Sequence, residues 1–169
     1  MAGNYAFDLS HLPARSAKPR KEGVTMVMDK GISLRQAEDF ISTSAPFVDF
    51  VKLGFGTSLI SSHVKEKVKL YRDAGLKVYV GGTLFEAFVV RNQFEDYISY
   101  IRDLGLDSAE VSDGSIEIAH EHKLEYINRL SKEFTVLSEV GSKEEGIIIH
   151  PARWIKMMQS ELEAGAAKV

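Results

Sequence analysis

Residues 47–58, FVDFVKLGFGTS, are the most informative stretch of this sequence. The first half has the β-branched and aromatic residues of a buried strand, and Gly54, Gly56 and Thr57 then form a polar turn that leads into a helical pattern. Lys52 lies near the end of the strand, where a buried ammonium group is costly unless it has a negative partner. The stretch therefore predicts a strand whose carboxyl end contributes to a site.

The same pattern occurs five times along the chain. Each apolar run ends in a polar cluster, and one segment with helical periodicity lies between consecutive clusters. This alternation is typical of β/α repeats with a parallel sheet, whose ligands bind at the carboxyl ends of the strands. We therefore expect an enzyme site that several strands build together. The clusters are Asp29-Lys30-Gly31, 52–58, 81–86, 110–114 and 139–143.

Hydrophobic periodicity, together with residues typical of helix starts and ends, predicts where the individual strands and helices lie. Ser33 is a suitable N-cap for the first helix, and Gly75 and Gly105 are natural helix stops. The predicted strands are 24–28, 47–53, 77–80, 108–111 and 134–138. The predicted helices are 33–44, about 60–74, 85–104, 119–132 and 151–165.

Two α/β architectures agree with this order of elements. A closed (β/α)₈ TIM barrel usually needs about 250 residues, and residues 166–169 follow the last helix as a further strand would. We interpret residues 23–169 as a single partial barrel domain with the first five β/α units, in a fragment or a truncated gene product. A five-stranded flavodoxin-like domain is the alternative, and the residues alone do not decide between the two.

Composition narrows the class of protein. The chain has 169 residues, no cysteine and a formal net charge of −3, so disulfides and thiol chemistry are excluded and nothing favours nucleic acid as a partner. It contains no apolar stretch of membrane-spanning length and no signal peptide, so we expect a cytoplasmic location without a membrane partner. We interpret residues 1–22, which carry two prolines and a basic run, as a leader that packs across the barrel bottom or is partly disordered.

Two glycine-containing turns and two lysines are candidates for binding an anion. Backbone N–H groups at 54–58 and 81–83 could cradle a phosphate or carboxylate, although a tight βα turn explains the same residues. Lys30 and Lys52 could bind the same kind of group as point charges. For Lys52 the alternative is a salt bridge to Asp29 or Asp49.

Three carboxylates, Glu110, Asp113 and Glu139, follow neighbouring predicted strands. Mg²⁺ accepts such oxygen ligands together with substrate and water, and grouped carboxylates also serve acid–base chemistry. The alternative is that one of them pairs with Lys30 or Lys143. The five histidines show no ligand spacing at strand ends, and Trp154 is better explained by packing.

Taken together, the five clusters resemble the phosphosulfolactate synthase family from about residue 23 to the last residue. The strings that carry this resemblance are Asp29-Lys30-Gly31, Asp49–Ser58, Gly81-Gly82-Thr83-Leu84-Phe85-Glu86, Glu110-Val111-Ser112-Asp113-Gly114 and 137–143. Plant heat-stress-associated proteins look similar and provide a non-catalytic alternative. A third alternative is another phosphate-handling barrel lyase or aldolase.

The resemblance implies a (β/α)₈ barrel and a Mg²⁺-dependent addition of sulfite to phosphoenolpyruvate that gives (2R)-phospho-3-sulfolactate, a carbon–sulfur lyase type of reaction. It implies that Lys143 is the general acid and that Lys30 and Lys52 hold substrate charges. We also expect a homo-oligomer. Family members continue through three more strands. The expected substrate-binding residues are Thr57, Ser58, Gly82, Thr83 and Ser112, and the expected metal ligands are Glu110, Asp113 and Glu139.

Overall fold

The computed structural model describes residues 10–11, 13, 15–143, 146 and 148–169, so much of the predicted leader lies outside the described residues. The strands are β1 (Met26–Asp29), β2 (Phe50–Leu53), β3 (Lys77–Val80), β4 (Ser108–Val111) and β5 (Thr135–Ser138). The helices are α1 (Leu34–Ser44), α2 (Thr57–Ile60), α3 (Val64–Asp73), α4 (Gly82–Val89), α5 (Phe94–Asp103), α6 (His120–Leu130) and α7 (Pro151–Glu163).

The strands pair in parallel and in sequence order. β2 pairs with both β1 and β3, β4 pairs with β5, and β3 contacts β4. After α7 the chain returns to β5, where the amide of Ala167 donates to the carbonyl of Val136 and Lys168 bridges Leu137 in parallel. The order excludes a flavodoxin-like sheet, in which β1 would lie between β2 and β3. The fold is a parallel β/α arrangement consistent with part of a TIM-like barrel, and the described strands do not close into a ring.

The register gives the strands two chemically different faces. Val51 pairs with Val78 and Leu53 with Val80, and these side chains join the core under the helices. We call this the helix-covered face. Because side chains alternate along a strand, the residues between them point to the opposite side, which we call the site face. Its residues include Met28, Lys52, Tyr79, Glu110 and Leu137.

Local sequence signals explain most of the element ends. Ser33 accepts a hydrogen bond from the amide of Gln36, whose side chain accepts from the amide of Ser33, which completes a capping box. Gly75 and Gly105 follow α3 and α5 with φ angles of +73° and +72°. Glycine adopts this left-handed conformation without a Cβ clash, so the predicted stops are confirmed.

Most element ends lie within two residues of the sequence-based predictions, and three differences are larger. The predicted helix 85–104 is two helices, α4 and α5, because Asn92 with φ +57° turns the chain between them. The predicted helix 60–74 begins only at Val64, after the separate turn α2. The second strand begins at Phe50 rather than at residue 47, because Pro46 starts a 3₁₀ turn over Ala45–Phe47.

The described part of the leader contacts the amino end of β2. Arg20 forms an ion pair of 2.9 Å with Asp49, and Arg15 donates to the carbonyl of Phe47 at 2.8 Å. Asp49 also accepts the amide of Thr25 at 2.9 Å. The helices of the described residues are all too short or too polar to span a membrane.

Candidate functional site

Lys52 lies at the centre of a charged cluster on the site face. Its Nζ is 2.7 Å from Oε1 of Glu110 and 3.1 Å from Oε1 of Glu139. Glu110 is buried, whereas the side chain of Glu139 is 50% exposed. Lys52 is on β2, Glu110 is on β4 and Glu139 follows β5, so the parallel strands bring these groups together on the site face toward their carboxyl ends. The salt bridge to Asp29 or Asp49 considered for Lys52 is not formed, since those carboxylates bind Lys67 and Arg20.

The cluster holds Lys52 in its charged form. Burial lowers the pKa of Lys52, but hydrogen bonds and charges from Glu110 and Glu139 outweigh burial and raise it above the usual value. Burial raises the pKa of Glu110, and the neighbouring charge of Glu139 adds to this effect. Burial and the charge of Glu110 also raise the pKa of Tyr79, which therefore stays protonated. Two carboxylates thus share one ammonium group.

The glycines that begin α4 allow this cluster to pack closely. The amide of Gly82 donates to Oε1 of Glu110 at 2.5 Å. A Cβ at Gly82 would lie 2.4 Å from Oγ of Ser112 and 2.9 Å from Oε1 of Glu110, and a Cβ at Gly81 would lie 3.0 Å from Cε of Lys52. The predicted anion cradle at 81–83 therefore directs one of its amides to a protein carboxylate.

Lys143 approaches the same turn from the loop after β5. Its Nζ donates to Oγ1 of Thr83 at 3.0 Å and to Oγ of Ser115 at 3.2 Å, and its amide donates to the carbonyl of Gly114 at 2.8 Å. Both side-chain partners are neutral, and within the described part of the chain Lys143 forms no ion pair. Lys143 lines a cleft of about 990 Å³ together with Ser115 and Arg153.

Glu86 fixes the loop that follows β4. It is buried on α4 and accepts hydrogen bonds from the hydroxyl of Ser112 and from the amides of Gly114 at 3.0 Å and Ser115 at 3.2 Å. These contacts bring Ser115 to Lys143. Ser112 thus binds a protein carboxylate. We did not predict this role of Glu86 from the sequence, although a charged residue between Phe85 and Phe88 in an apolar helix was a usable signal.

The three carboxylates that we expected to bind metal do not surround one point. Glu110 and Glu139 contact Lys52, whereas Asp113 forms an ion pair of 2.8 Å with Lys123. Among the residues that the structure describes, no group of three or more His, Asp or Glu side chains has the arrangement of a metal site. A metal at this site would therefore use fewer protein ligands than we expected.

Three other predicted site residues lie away from the charged cluster. Thr57 donates to the carbonyl of Gly54 at 2.7 Å and so closes its own turn. Ser58 is buried beside Tyr100 of α5. Lys30 is exposed and lines a separate cleft with Lys67. The structure therefore brings together Lys52, Gly82, Thr83, Ser112 and Lys143, and leaves Lys30, Thr57 and Ser58 apart.

Fold and site together define a parallel β/α protein with charged groups gathered at the carboxyl ends of its strands, which is where parallel β/α proteins bind their ligands. Comparison with known proteins identifies the family. A model of (2R)-phospho-3-sulfolactate synthase matches residues 13–169, and the chain belongs to this family.

The curated relatives agree with this assignment. The chain is 41% identical over 169 residues to phosphosulfolactate synthase of Methanothermobacter thermautotrophicus, covering 97% of this chain and 65% of the relative. It is 35% identical over 160 residues to phosphosulfolactate synthase of Bacillus subtilis, covering 94% of this chain and 64% of the relative. The chain thus spans slightly less than two thirds of the length of these relatives. A more distant match, 28% identical over 121 residues, is Protein HEAT-STRESS-ASSOCIATED 32 of Arabidopsis thaliana, covering 67% of this chain and 42% of the relative.

Proposed function

We propose that the protein carrying this chain is a phosphosulfolactate synthase that adds sulfite to phosphoenolpyruvate on a (β/α)₈ barrel. The observation that carries this proposal is the meeting of Lys52 and Lys143 at the turn 81–83, since both lysines contact that turn from other strand ends. The substrates are anions, so a site with fixed ammonium groups suits them. The names of the relatives support the same reaction.

The reaction forms one carbon–sulfur bond. The sulfur lone pair of sulfite attacks C3 of phosphoenolpyruvate, and the electrons of the C2–C3 double bond move toward the carboxylate. C2 then takes a proton, and the face on which it does so fixes the R configuration. In this proposal Lys143 donates that proton as the general acid. Thr83 and Ser115 orient its ammonium group through the contacts described above.

Lys52 has a different role because its charge is already shared with Glu110 and Glu139. We propose that it binds the substrate carboxylate as negative charge develops there, with Glu110 keeping the ammonium in place. This is preorganised electrostatic stabilisation, which is often the largest catalytic contribution. Lys30 and Thr57 lie in a separate cleft, so their substrate roles rest on the family resemblance alone.

We propose that Mg²⁺ uses a smaller set of residues than the three carboxylates expected from the sequence. Glu139 is half exposed and reaches the cluster beside Glu110, and Mg²⁺ is commonly held by one or two carboxylates with substrate oxygens and water. Asp113 is engaged with Lys123 and is left out of this set. When bound, Mg²⁺ would supply Lewis-acid stabilisation of the substrate's negative charge.

The experiment uses the purified protein at its natural length. It should consume phosphoenolpyruvate only when sulfite and Mg²⁺ are both present, and mass spectrometry should detect phosphosulfolactate. Lys143→Ala should lower kcat by about 10²-fold or more, as expected when a general acid is lost. Lys132→Ala, at an exposed position after α6, is the matched control and should leave kcat unchanged.

The plant relative supports a second candidate function. Its match over 121 residues shows that a similar sequence also occurs in a protein named for heat stress. A folded protein that forms no phosphosulfolactate under the conditions above would favour this non-catalytic alternative. Normal turnover in Lys143→Ala would instead retain the synthase and remove Lys143 from the acid role. The cytoplasmic location and the homo-oligomer stay predictions.

A further inference from the structure

Lys123 is a fully buried lysine that the proposed reaction does not use. Its Nζ on α6 lies 2.8 Å from Asp113, 2.8 Å from Glu161 and 2.6 Å from the carbonyl oxygen of Glu139. The side chains of Lys123 and Glu161 are both 0% exposed. A buried ammonium is retained only where such partners compensate its desolvation. The contacts of Lys123 join the loops after β4 and β5 to α6 and α7.

Glu139 is consequently held at two places. Lys123 binds its backbone carbonyl, while its carboxylate reaches Lys52 at 3.1 Å. A half-exposed glutamate has considerable rotamer freedom, so fixing its backbone reduces the number of positions its carboxylate can take. The placement of Glu139 beside Lys52 therefore depends on Lys123.

The same lysine also influences Lys143. Asp113 precedes Gly114, and the carbonyl of Gly114 accepts the amide of Lys143 at 2.8 Å. Tethering Asp113 to α6 thus limits the movement of the peptide that positions Lys143. Both lysines of the proposed site are connected to one buried group through short chains of contacts.

We infer that Lys123 is a positioning residue that holds the loops after β4 and β5, and through them Glu139 and Lys143, in the geometry of the site. Its effect on turnover rests on the proposed function, whereas its effect on the loops does not. The inference predicts that removing the ammonium loosens residues 139–143 even where the rest of the chain stays folded.

The main test is the double variant Lys123→Met/Glu161→Gln in the protein at its natural length. It removes one positive and one negative buried charge together, and the remaining carboxylate, Asp113, is partly exposed and can be hydrated. Hydrogen exchange should become at least about tenfold faster at residues 139–143 and stay unchanged within α6. The kcat value should fall at least about tenfold, with a smaller change in KM. Lys123→Arg, which keeps the charge, should recover a large part of kcat.

Asp113→Asn is the second variant, for the case that the double variant does not fold. It leaves the buried pair of Lys123 and Glu161 intact and removes only the link to the loop after β4. Exchange of the Lys143 amide should again become faster. Lys69→Met, at an exposed lysine, is the control and should change neither exchange nor kcat.

The outcomes separate this inference from the proposed function. Unchanged exchange at 139–143 in a folded double variant, or at Lys143 in Asp113→Asn, would overturn the inference. A double variant with native kcat would overturn it as well. Faster exchange in a protein whose wild type makes no phosphosulfolactate would support the anchoring role and refute the synthase proposal.

Discussion

Replacing Lys67 by Met should destabilise the fold strongly, because it removes the positive partner of a buried carboxylate. Nζ of Lys67 lies 2.7 Å from Oδ2 of Asp29, and the two side chains are only 3% and 2% exposed. Asp29 is on the helix-covered face, where Tyr71 donates to the same oxygen at 3.0 Å. The amides of Gly31 and Ile32 donate to its other oxygen at 2.7 and 2.9 Å.

These contacts determine how much free energy of unfolding Lys67→Met should remove. Removing one partner of a buried ion pair typically costs about 3 to 5 kcal/mol. Asp29 keeps three hydrogen bonds after the substitution, and Met retains the apolar stem of the lysine, so we expect a loss near the lower value, about 3 kcal/mol. For a domain of this size, that corresponds to a fall of about 6 to 12 °C in Tm.

The contribution of Asp29 to the stability of the fold depends on pH in a defined direction. Burial opposes ionisation of Asp29, but the hydrogen bond from Lys67 and those from the amides of Ile32 and Gly31 lower its pKa below the usual value. A carboxyl group whose pKa is lowered by folding stabilises the native state above its unfolded pKa, about 3.9 for aspartate. That contribution is lost as the pH falls through the folded pKa. Lys67→Met should reduce the stabilisation by ionised Asp29 at neutral pH, and it should make Tm less dependent on pH in the acidic range.

Thermal melts from neutral to acidic pH test this reasoning. Lys69→Met is the matched control, because Lys69 forms an exposed pair with Asp73 at 2.6 Å, and such helix pairs contribute only about 0.3 to 0.5 kcal/mol. The double variant Lys67→Met/Asp29→Asn should recover part of the lost stability. Equal Tm values for Lys67→Met and Lys69→Met would refute the burial argument.

Three further predictions concern the site. Gly82→Ala should lower the free energy of unfolding by about 1 to 3 kcal/mol in urea titrations, because the new Cβ would overlap buried Ser112 and Glu110; unchanged stability would contradict the close packing. Glu86→Gln replaces one acceptor oxygen by a donor, so an amide of the loop after β4 loses its partner, and urea titrations should detect a loss of about 1 to 3 kcal/mol. Glu139→Gln removes a neighbouring negative charge, so the pKa of Glu110, followed by carbon NMR, should fall toward its usual value; an unchanged pKa would exclude close coupling.

The elements that the sequence predicted well have local causes. Strands, helix starts and helix ends are specified by residues within a few positions of one another. Examples are the short apolar runs of the strands, the capping residue Ser33 and the helix stops Gly75 and Gly105. All five strands and their parallel pairing were therefore predictable, with shifts of a few residues at the ends. The division between α4 and α5 was missed because Asn92 adopts a left-handed conformation that asparagine tolerates but does not require.

Partners distant in sequence were harder to predict. Lys52 and Glu139 are 87 residues apart, and their contact depends on strand neighbours that only the fold supplies. The buried partners Lys67 and Lys123 lie on the helices α3 and α6, outside the strand-end clusters from which the site residues were predicted. Lys123 precedes Ile127 and Leu130 by four and seven residues, which places it on the apolar stripe of α6. Helical periodicity could therefore have indicated that Lys123 is buried.

The alternation of the two strand faces has a consequence for folding accuracy. A slip of β2 by one residue would turn Lys52 toward the helices and Leu53 toward the carboxylates. Such a sheet would turn Lys52 away from the site face and leave buried Glu110 without its cation, at a cost of several kcal/mol. The charged groups at the strand ends therefore also favour the correct register. A chain with slipped pairing would be too unstable to persist as a folded but inactive protein.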